Sequence, residues 1–255
     1  MTAHKAGRSV LAVDAGNTRI KWGWHDGTRW RARAWVATAQ AGRLKAAFAR
    51  IPQPCAIVIS NVAGSALRDK LRKVLPAAPA PQWLKSTREQ AGVSSSYAAP
   101  AQLGCDRWAA LIGAHRLFGV AAVVVNAGTA LTVDALTADG VFAGGMIVPG
   151  VELMRRTLAE NTAGLKLRPG RFSFFPDATG DAIMSGAINA SCGAIERMAR
   201  FLEDAGQAPP LCVISGGGAA VLAPHLNLEV KLVDNLVLEG LLTIAGAAVD
   251  GASDA

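Results

Sequence analysis

Runs and alternations of apolar residues divide the chain into strands and helices whose order recurs. In the first half, Ser9–Val13 reads as a buried strand, Arg19–Trp24 as a second and Arg29–Val36 as a third. Arg43–Ile51 has helical spacing and Cys55–Ser60 reads as a strand. Ser65–Leu75 reads as a helix that the Ser65 hydroxyl is placed to cap. Gln82–Leu84 is a short strand, and Cys105–Phe118 is a helix with Trp108, Leu111 and Ile112 at helical spacing. The second half repeats the outline. Ala121–Val125, Ala130–Leu136 and Val141–Ile147 read as strands, and Pro149 suits the first turn of a helix running to about Asn161. A long helix over Ala182–Leu202, a strand over Leu211–Ser215, a short helix over Ala219–Leu222, a strand over Glu229–Val233 and a closing helix over Leu236–Val249 follow.

The repetition is also local. Val13-Asp14-Ala15-Gly16-Asn17-Thr18 follows the first strand of one half, and Val125-Asn126-Ala127-Gly128-Thr129-Ala130 follows the first strand of the other. Such self-similarity predicts a duplicated α/β lobe with a cleft between copies, divided as 1–117 and 118–255.

Composition narrows the class. The chain has 255 residues, of which 51% are apolar and 18% charged, enough apolar material for a real core. No apolar stretch is long and unbroken enough for a bilayer span, and the run at Val10–Val13, ended by Asp14, is too short for a secretory signal. Four cysteines without metal or disulfide spacing point to a reduced, cytoplasmic compartment. The charge is lopsided. Residues 1–117 carry 18 Lys+Arg against 5 Asp+Glu, whereas residues 118–255 carry 8 against 14. That asymmetry suits an anionic ligand or nucleic acid, or two lobes of opposite sign. The basic residues are scattered, with few aromatics between them, and Arg68, Lys70, Arg72 and Lys73 read as the solvent face of one helix. Specific nucleic-acid recognition is therefore not favoured.

The two turns carry phosphate chemistry. Gly16 and Gly128 let main-chain N–H groups approach a ligand, and successive N–H groups in a tight turn hold anions. Asn17, Thr18 and Thr129 add neutral donors, and Lys21 adds a charge within reach of a terminal phosphate. Asp14 closes a buried strand, where a carboxylate is costly unless it is paired or near a hard cation such as Mg²⁺. A single such turn is equally an ordinary hairpin. The second copy, with Ser215-Gly216-Gly217-Gly218 after a later strand, favours a nucleotide site. Neither a Walker A loop nor a Rossmann fingerprint is present. The histidines lack zinc spacing, and no G-x-S-x-G elbow supports a serine hydrolase.

A third constellation is Leu103-Gly104-Cys105-Asp106-Arg107-Trp108. Asp106 reads either as a helix N-terminal acid or as a general base toward a hydroxyl. Arg107 reads as an exposed cation or as the partner of a substrate carboxylate.

These residues together resemble the type III pantothenate kinases, some of which carry the name Bvg accessory factor. The resemblance rests on Asp14-Ala15-Gly16-Asn17-Thr18-Arg19-Ile20-Lys21, on Leu103 to Trp108, and on Ala127 to Asp134, in the family's order. Gly144 to Gly150, Thr179 to Gly186 and Ser215 to Gly218 continue it, so that it spans roughly Val10 to Val249. It implies an α/β fold of two duplicated actin-like lobes (the acetate and sugar kinase, Hsc70 and actin superfold, ribonuclease H-like) with a nucleotide cleft between them. It also implies ATP-dependent conversion of pantothenate to 4′-phosphopantothenate, the first step of coenzyme A synthesis. By position, Asp14 to Lys21 and Thr129 would bind ATP, with Asp14 near Mg²⁺ through water. Tyr97, Gly104, Cys105, Asp106 and Arg107 would line the pantothenate site, with Asp106 as proton acceptor. Thr179 would reach the substrate across a homodimer interface; its other reading is a helix cap, and that of Tyr97 is a plain loop aromatic.

One position departs. The family carries Asp where this chain has Asn126, and that Asp helps to bind a monovalent cation. Asparagine keeps a carbonyl acceptor and loses the charge. K⁺, NH₄⁺, a lysine in the cation's place, or no cation all stay open. Two further functions stay open from the residues alone: another small-molecule kinase of the same superfold, or a regulatory module whose basic lobe contacts nucleic acid.

Overall fold

In the computed structural model, which describes residues 9–252, the chain forms two compact units. The first comprises the chain up to Leu117 together with the segment from Asn235 onward, and the second runs from Phe118 to Asp234.

The first unit opens with three strands, β1 (Val10–Ala15), β2 (Arg19–His25) and β3 (Trp30–Ala37). Helix α1 (Leu44–Phe48), strand β4 (Ala56–Asn61), helix α2 (Gly64–Arg72) and strand β5 (Gln82–Trp83) follow. The sheet order is β3-β2-β1-β4-β5, with β1 to β3 antiparallel and β4 and β5 parallel to β1. A small hairpin, β6 (Glu89–Gln90) and β7 (Val93–Ser95), precedes helix α3 (Cys105–Phe118).

Within the second unit, β8 (Ala122–Ala127), β9 (Ala130–Leu136) and β10 (Val141–Pro149) lead into α4 (Val151–Asn161) and α5 (Thr179–Asp204). β11 (Leu211–Ser215), α6 (Ala219–Leu222) and β12 (Val230–Leu232) complete it. These strands lie in the order β12-β11-β8-β9-β10, again three antiparallel strands followed by two parallel ones. Each unit therefore carries the same strand order and the same strand directions.

Alternation along the strands sorts the residues between two faces. Leu11, Val13 and Ala15 of β1 join Ile20, Trp22, Ile57 and Ile59 in one core with Leu44, Phe48, Leu67 and Leu71 of α1 and α2. In the second unit, Val123, Val125, Leu131, Val133 and Ile214 pack with Ile195, Ala199 and Leu202 of α5. Fully burying side chains of this size contributes about 1.5–3 kcal/mol each.

The closing helix α7 (Leu236–Ala252) belongs to the first unit and packs on β1 and β4. The boundary expected from chain order assigned it to the second lobe. What holds it is close helix packing: a Cβ added at Gly240 would lie 1.7 Å from the Ala109 carbonyl oxygen of α3. Trp30 Nε1 also donates to Glu239 Oε1 at 2.8 Å.

Other local expectations shift. Pro149 ends β10 opposite Ala130 rather than opening a helix, and Gly150 is the N-cap of α4. Proline has no N–H to give the ladder, so the last position of a strand suits it. Helix α2 starts at Gly64 with Ala63 as its N-cap and no side-chain cap, so Ser65 does not cap it. The helix expected over Arg43–Ile51 is a 3₁₀ segment, Thr38–Arg43, continuing into the short α1. Arg68 and Arg72 do not simply point to solvent, since their guanidinium groups lie over the Trp83 ring at 4.8 and 5.9 Å. No described helix is long and apolar enough to cross a membrane.

Candidate active site

Asp14 is the penultimate residue of β1. It pairs with Lys21 on β2 and with Ser60 on β4, so all three lie in one row across the sheet. Ser60 is fully buried, and its hydroxyl lies 3.4 Å from the Cys105 thiol. That contact ties the head of α3 to the ends of the two central strands. The next residue, Asp106, folds back so that its Oδ1 accepts the Arg107 N–H at 2.9 Å. Gly104 leaves room for this, since a Cβ there would lie 2.6 Å from the same Oδ1.

The two carboxylates feel each other. Burial pushes the Asp14 carboxyl up from the usual 3.8 to about 7; the negative charge of Asp106 adds to the shift and Lys21 opposes it. Burial also raises Asp106, against the Arg107 N–H and the Arg107 charge. The Cys105 thiol is raised by burial and by both carboxylates, with the Ser60 hydrogen bond opposing, so Cys105 stays protonated. Its contact with Ser60 holds it directly beside the Asp106 acid. Arg107 is only 6% exposed, which marks it as a buried cation in the first turn of α3.

The β1–β2 turn is built to present main chain. Gly16 N–H donates to Arg19 O at 3.0 Å. Thr38 fastens the turn from outside, its hydroxyl donating to Gly16 O at 2.8 Å and its N–H to Thr18 O at 3.0 Å. Asn17, Thr18 and Arg19 are exposed, and the Arg19 guanidinium stacks over Trp35 at 4.3 Å. Ala15 and Ile20 are fully buried in the core, so only their main chain is left for a ligand.

In the second unit, the corresponding turn is one residue shorter. Three residues separate the paired positions Ala127 and Leu131, against four between Ala15 and Ile20. Gly128 N–H donates to Ala130 O at 3.1 Å. The turn is wedged between two glycine segments. A Cβ at Gly150 would lie 2.2 Å from Gly128 O, and one at Gly216 would lie 2.6 Å from Ala127 O and 2.8 Å from Asn126 Oδ1. Gly216 also has φ +101°, which disfavours any other residue. Gly218 N–H donates to Ala127 O at 2.9 Å. Thr129 is exposed at the tip, and Asn126 sits half-buried between Thr132 and Ser215.

Thr179 is the exposed first residue of α5, with Ala178 as N-cap and no side-chain cap, so the helix-cap reading of Thr179 does not hold. Tyr97 is half-buried in the loop between β7 and a 3₁₀ turn, Pro100–Gln102. The first unit thus gathers Asp14, Lys21, Cys105 and Asp106 in one place, while Asn126, Thr129 and Thr179 belong to the second. Sequence reasoning missed Ser60 and Thr38. Ser60 ends the strand parallel to β1, a position whose importance needs the sheet order; Thr38 carries no sequence signal. Among the described residues, no group of three or more His, Cys, Asp or Glu side chains is placed to hold a metal ion by itself.

Known proteins resemble this chain in sequence and in fold. The family model described as type III pantothenate kinase matches residues 10–200. The type III pantothenate kinase of Nitrosospira multiformis is 46% identical over 245 residues, covering 96% of this chain and 94% of its own. That of Aromatoleum aromaticum is 47% identical over 237 residues, covering 92% and 97%. Among solved structures, a Baf family protein from Campylobacter jejuni superposes with a TM-score of 0.59 at 21% identity, covering 94% of this chain and 99% of that one. A glucokinase from Balamuthia mandrillaris superposes with a TM-score of 0.52 at 10% identity, covering 94% of both chains. The structural likenesses establish the actin-like fold of two α/β lobes. Motif order, fold and near-full-length identity together make this chain a member of the type III pantothenate kinase family.

Proposed function

We propose that Asp106 is the general base in the reaction this family membership assigns to the chain, the ATP-dependent phosphorylation of pantothenate to 4′-phosphopantothenate in coenzyme A synthesis. The observation that carries the reading is the raised carboxyl of Asp106, desolvated at the head of α3 beside Asp14. A base with a raised pKa takes a hydroxyl proton more readily than an ordinary carboxylate.

In the step, the pantothenate hydroxyl oxygen attacks the γ-phosphorus of ATP in line. The bond from that phosphorus to the bridging oxygen breaks, and ADP leaves with the electron pair. The hydroxyl proton passes to Asp106. Phosphoryl transfer asks the protein mainly for alignment and charge neutralisation. Lys21 and the main-chain N–H groups of the Gly16 turn suit these tasks, and the Gly128–Thr129 turn offers main-chain donors of the same kind. Arg107 orients pantothenate through its carboxylate, and Tyr97 and Gly104 line the same substrate.

Asp14 fits Mg²⁺, most simply through water. Its carboxylate is costly to ionise where it stands, and a hard cation shared with phosphates relieves that cost. Bound there, Mg²⁺ would neutralise charge on the transferring phosphoryl group. At Asn126, a neutral amide oxygen stands where the family holds a carboxylate, which favours catalysis without an obligatory monovalent cation. A homodimer is favoured by one feature: Phe174 and Phe175 are 86% and 93% exposed just ahead of Thr179. A second copy of the chain would cover them and bring its Thr179 to the substrate. The ATP requirement and four free thiols favour the cytoplasm.

The test is Asp106→Asn. Turnover should fall by about 10²-fold or more, the usual scale for loss of a general base, with folding and pantothenate binding retained. Near-parental turnover would remove Asp106 from the chemistry.

A further inference from the structure

Beside the segment that carries Tyr97 and Asp106 runs a polar brace of three alternating residues, Ser86, Arg88 and Gln90. The Ser86 hydroxyl donates to Leu103 O at 2.8 Å. Gln90 Oε1 accepts the Trp108 Nε1–H at 2.9 Å. Leu103 and Trp108 flank the four residues Gly104 to Arg107, so these two bonds pin that quartet at both ends. Between them, the Arg88 guanidinium donates to three main-chain carbonyls: Ser95 O at 2.8 Å, Tyr97 O at 2.9 Å and Ala98 O at 3.3 Å.

The Arg88 contacts bracket Tyr97. Ser95 N–H returns a bond to Arg88 O at 2.9 Å, and the buried Ser95 hydroxyl accepts the Tyr97 N–H at 3.3 Å. No regular secondary structure fixes the main chain from Ser96 to Ala99. Arg88 thus tethers that stretch through Tyr97 O and Ala98 O, and its planar fork of five donors reaches several carbonyls at once. A lysine ammonium offers three donors from a single point and cannot span the same set. The β1–β2 turn, which carries the ATP-binding residues, receives none of these bonds.

We propose that Arg88 is a positioning residue for pantothenate: it fixes the main chain on both sides of Tyr97 and so sets the place of the phenol against the substrate. The proposal rests on the reading of Tyr97 as a pantothenate contact. It assigns Arg88 to the acceptor side of the reaction alone, with Ser86 and Gln90 holding the neighbouring quartet.

The experiment is a kinetic double-mutant cycle on the full chain with Arg88→Ala, Tyr97→Ala and the pair. Arg88→Lys accompanies them, and thermal unfolding is recorded for each. Arg88→Ala should raise the KM for pantothenate about tenfold, the scale of one or two lost hydrogen bonds from a charged donor, and leave the KM for ATP within about twofold. Tyr97→Ala should raise the same KM, and the double variant should rise no further than the larger single. Millimolar guanidinium should lower the pantothenate KM of Arg88→Ala and leave that of Tyr97→Ala unmoved. If Arg88→Ala does not fold, Arg88→Lys carries the test, with a raised pantothenate KM expected. Parental pantothenate KM in Arg88→Lys and Arg88→Ala, additive effects in the cycle, or an equal rise in both KM values overturns the proposal while the Tyr97 reading stands. An unchanged pantothenate KM in Tyr97→Ala overturns that reading and the proposal with it.

Discussion

Replacing Asp14 by asparagine should stabilise the unliganded protein while abolishing its activity. The folded chain holds the Asp14 carboxyl at about 7, against the usual 3.8, chiefly because the group is buried. Between these values the folded state keeps a proton that the unfolded state has released. Stability contributed by this site therefore falls as pH rises from about 4 to about 7, and the loss is complete above pH 7. A shift of about three pH units at 1.36 kcal/mol each sets an upper bound of about 4 kcal/mol on the cost of the charge. Asparagine keeps the size and one acceptor and removes the charge. Unfolding temperatures of parent and Asp14→Asn, recorded without nucleotide or Mg²⁺ at pH 4.5 and pH 8, isolate that cost. At pH 8 the variant should melt higher by roughly 5–15 °C, the range for a chain of this size. At about pH 4.5 the difference should shrink to about a quarter of that, because the folded parental carboxyl is still protonated there. A variant no more stable than the parent at pH 8, or equally stabilised at both pH values, would refute the assignment of a desolvated, destabilising carboxylate to Asp14.

Three further expectations follow from the same geometry. Gly104→Ala places a methyl group 2.6 Å from Asp106 Oδ1, so the carboxylate must move; kcat should fall tenfold or more with the unfolding temperature little changed, and parental kcat contradicts the placement. Arg107→Lys should raise the KM for pantothenate with a smaller effect on kcat, because the planar fork is lost; an unchanged KM removes Arg107 from carboxylate binding. Turnover measured in K⁺, in NH₄⁺ and in Na⁺ alone should agree within about twofold, given the neutral Asn126, and strong activation by K⁺ would show that the amide still supports a cation site.

Elements with strong patterns were legible in the sequence. The helix over Cys105–Phe118 and the strands over Ala130–Leu136 and Leu211–Ser215 have the bounds read from apolar spacing. The repeat between Asp14 and Asn126 pointed to two lobes of like strand order, because a turn after a buried strand leaves the same mark each time. What escaped lacks an apolar period or depends on distant partners. Strands β6 and β7 are two and three residues long and mostly polar. The place of α7 depends on Gly240 meeting the Ala109 main chain, a contact between residues far apart in the chain. The glycine of the Leu103–Trp108 motif was visible, but its reason, the folded-back Asp106 carboxylate, is a matter of side-chain geometry. Arg88 gave no signal at all, since its partners are main-chain carbonyls that any sequence would offer.

The central claim is tested most directly by ADP release from ATP and Mg²⁺ with and without pantothenate. The account predicts turnover that requires pantothenate and yields one 4′-phosphopantothenate for each ADP. Well-folded protein that releases no more ADP with pantothenate than without it would contradict the account.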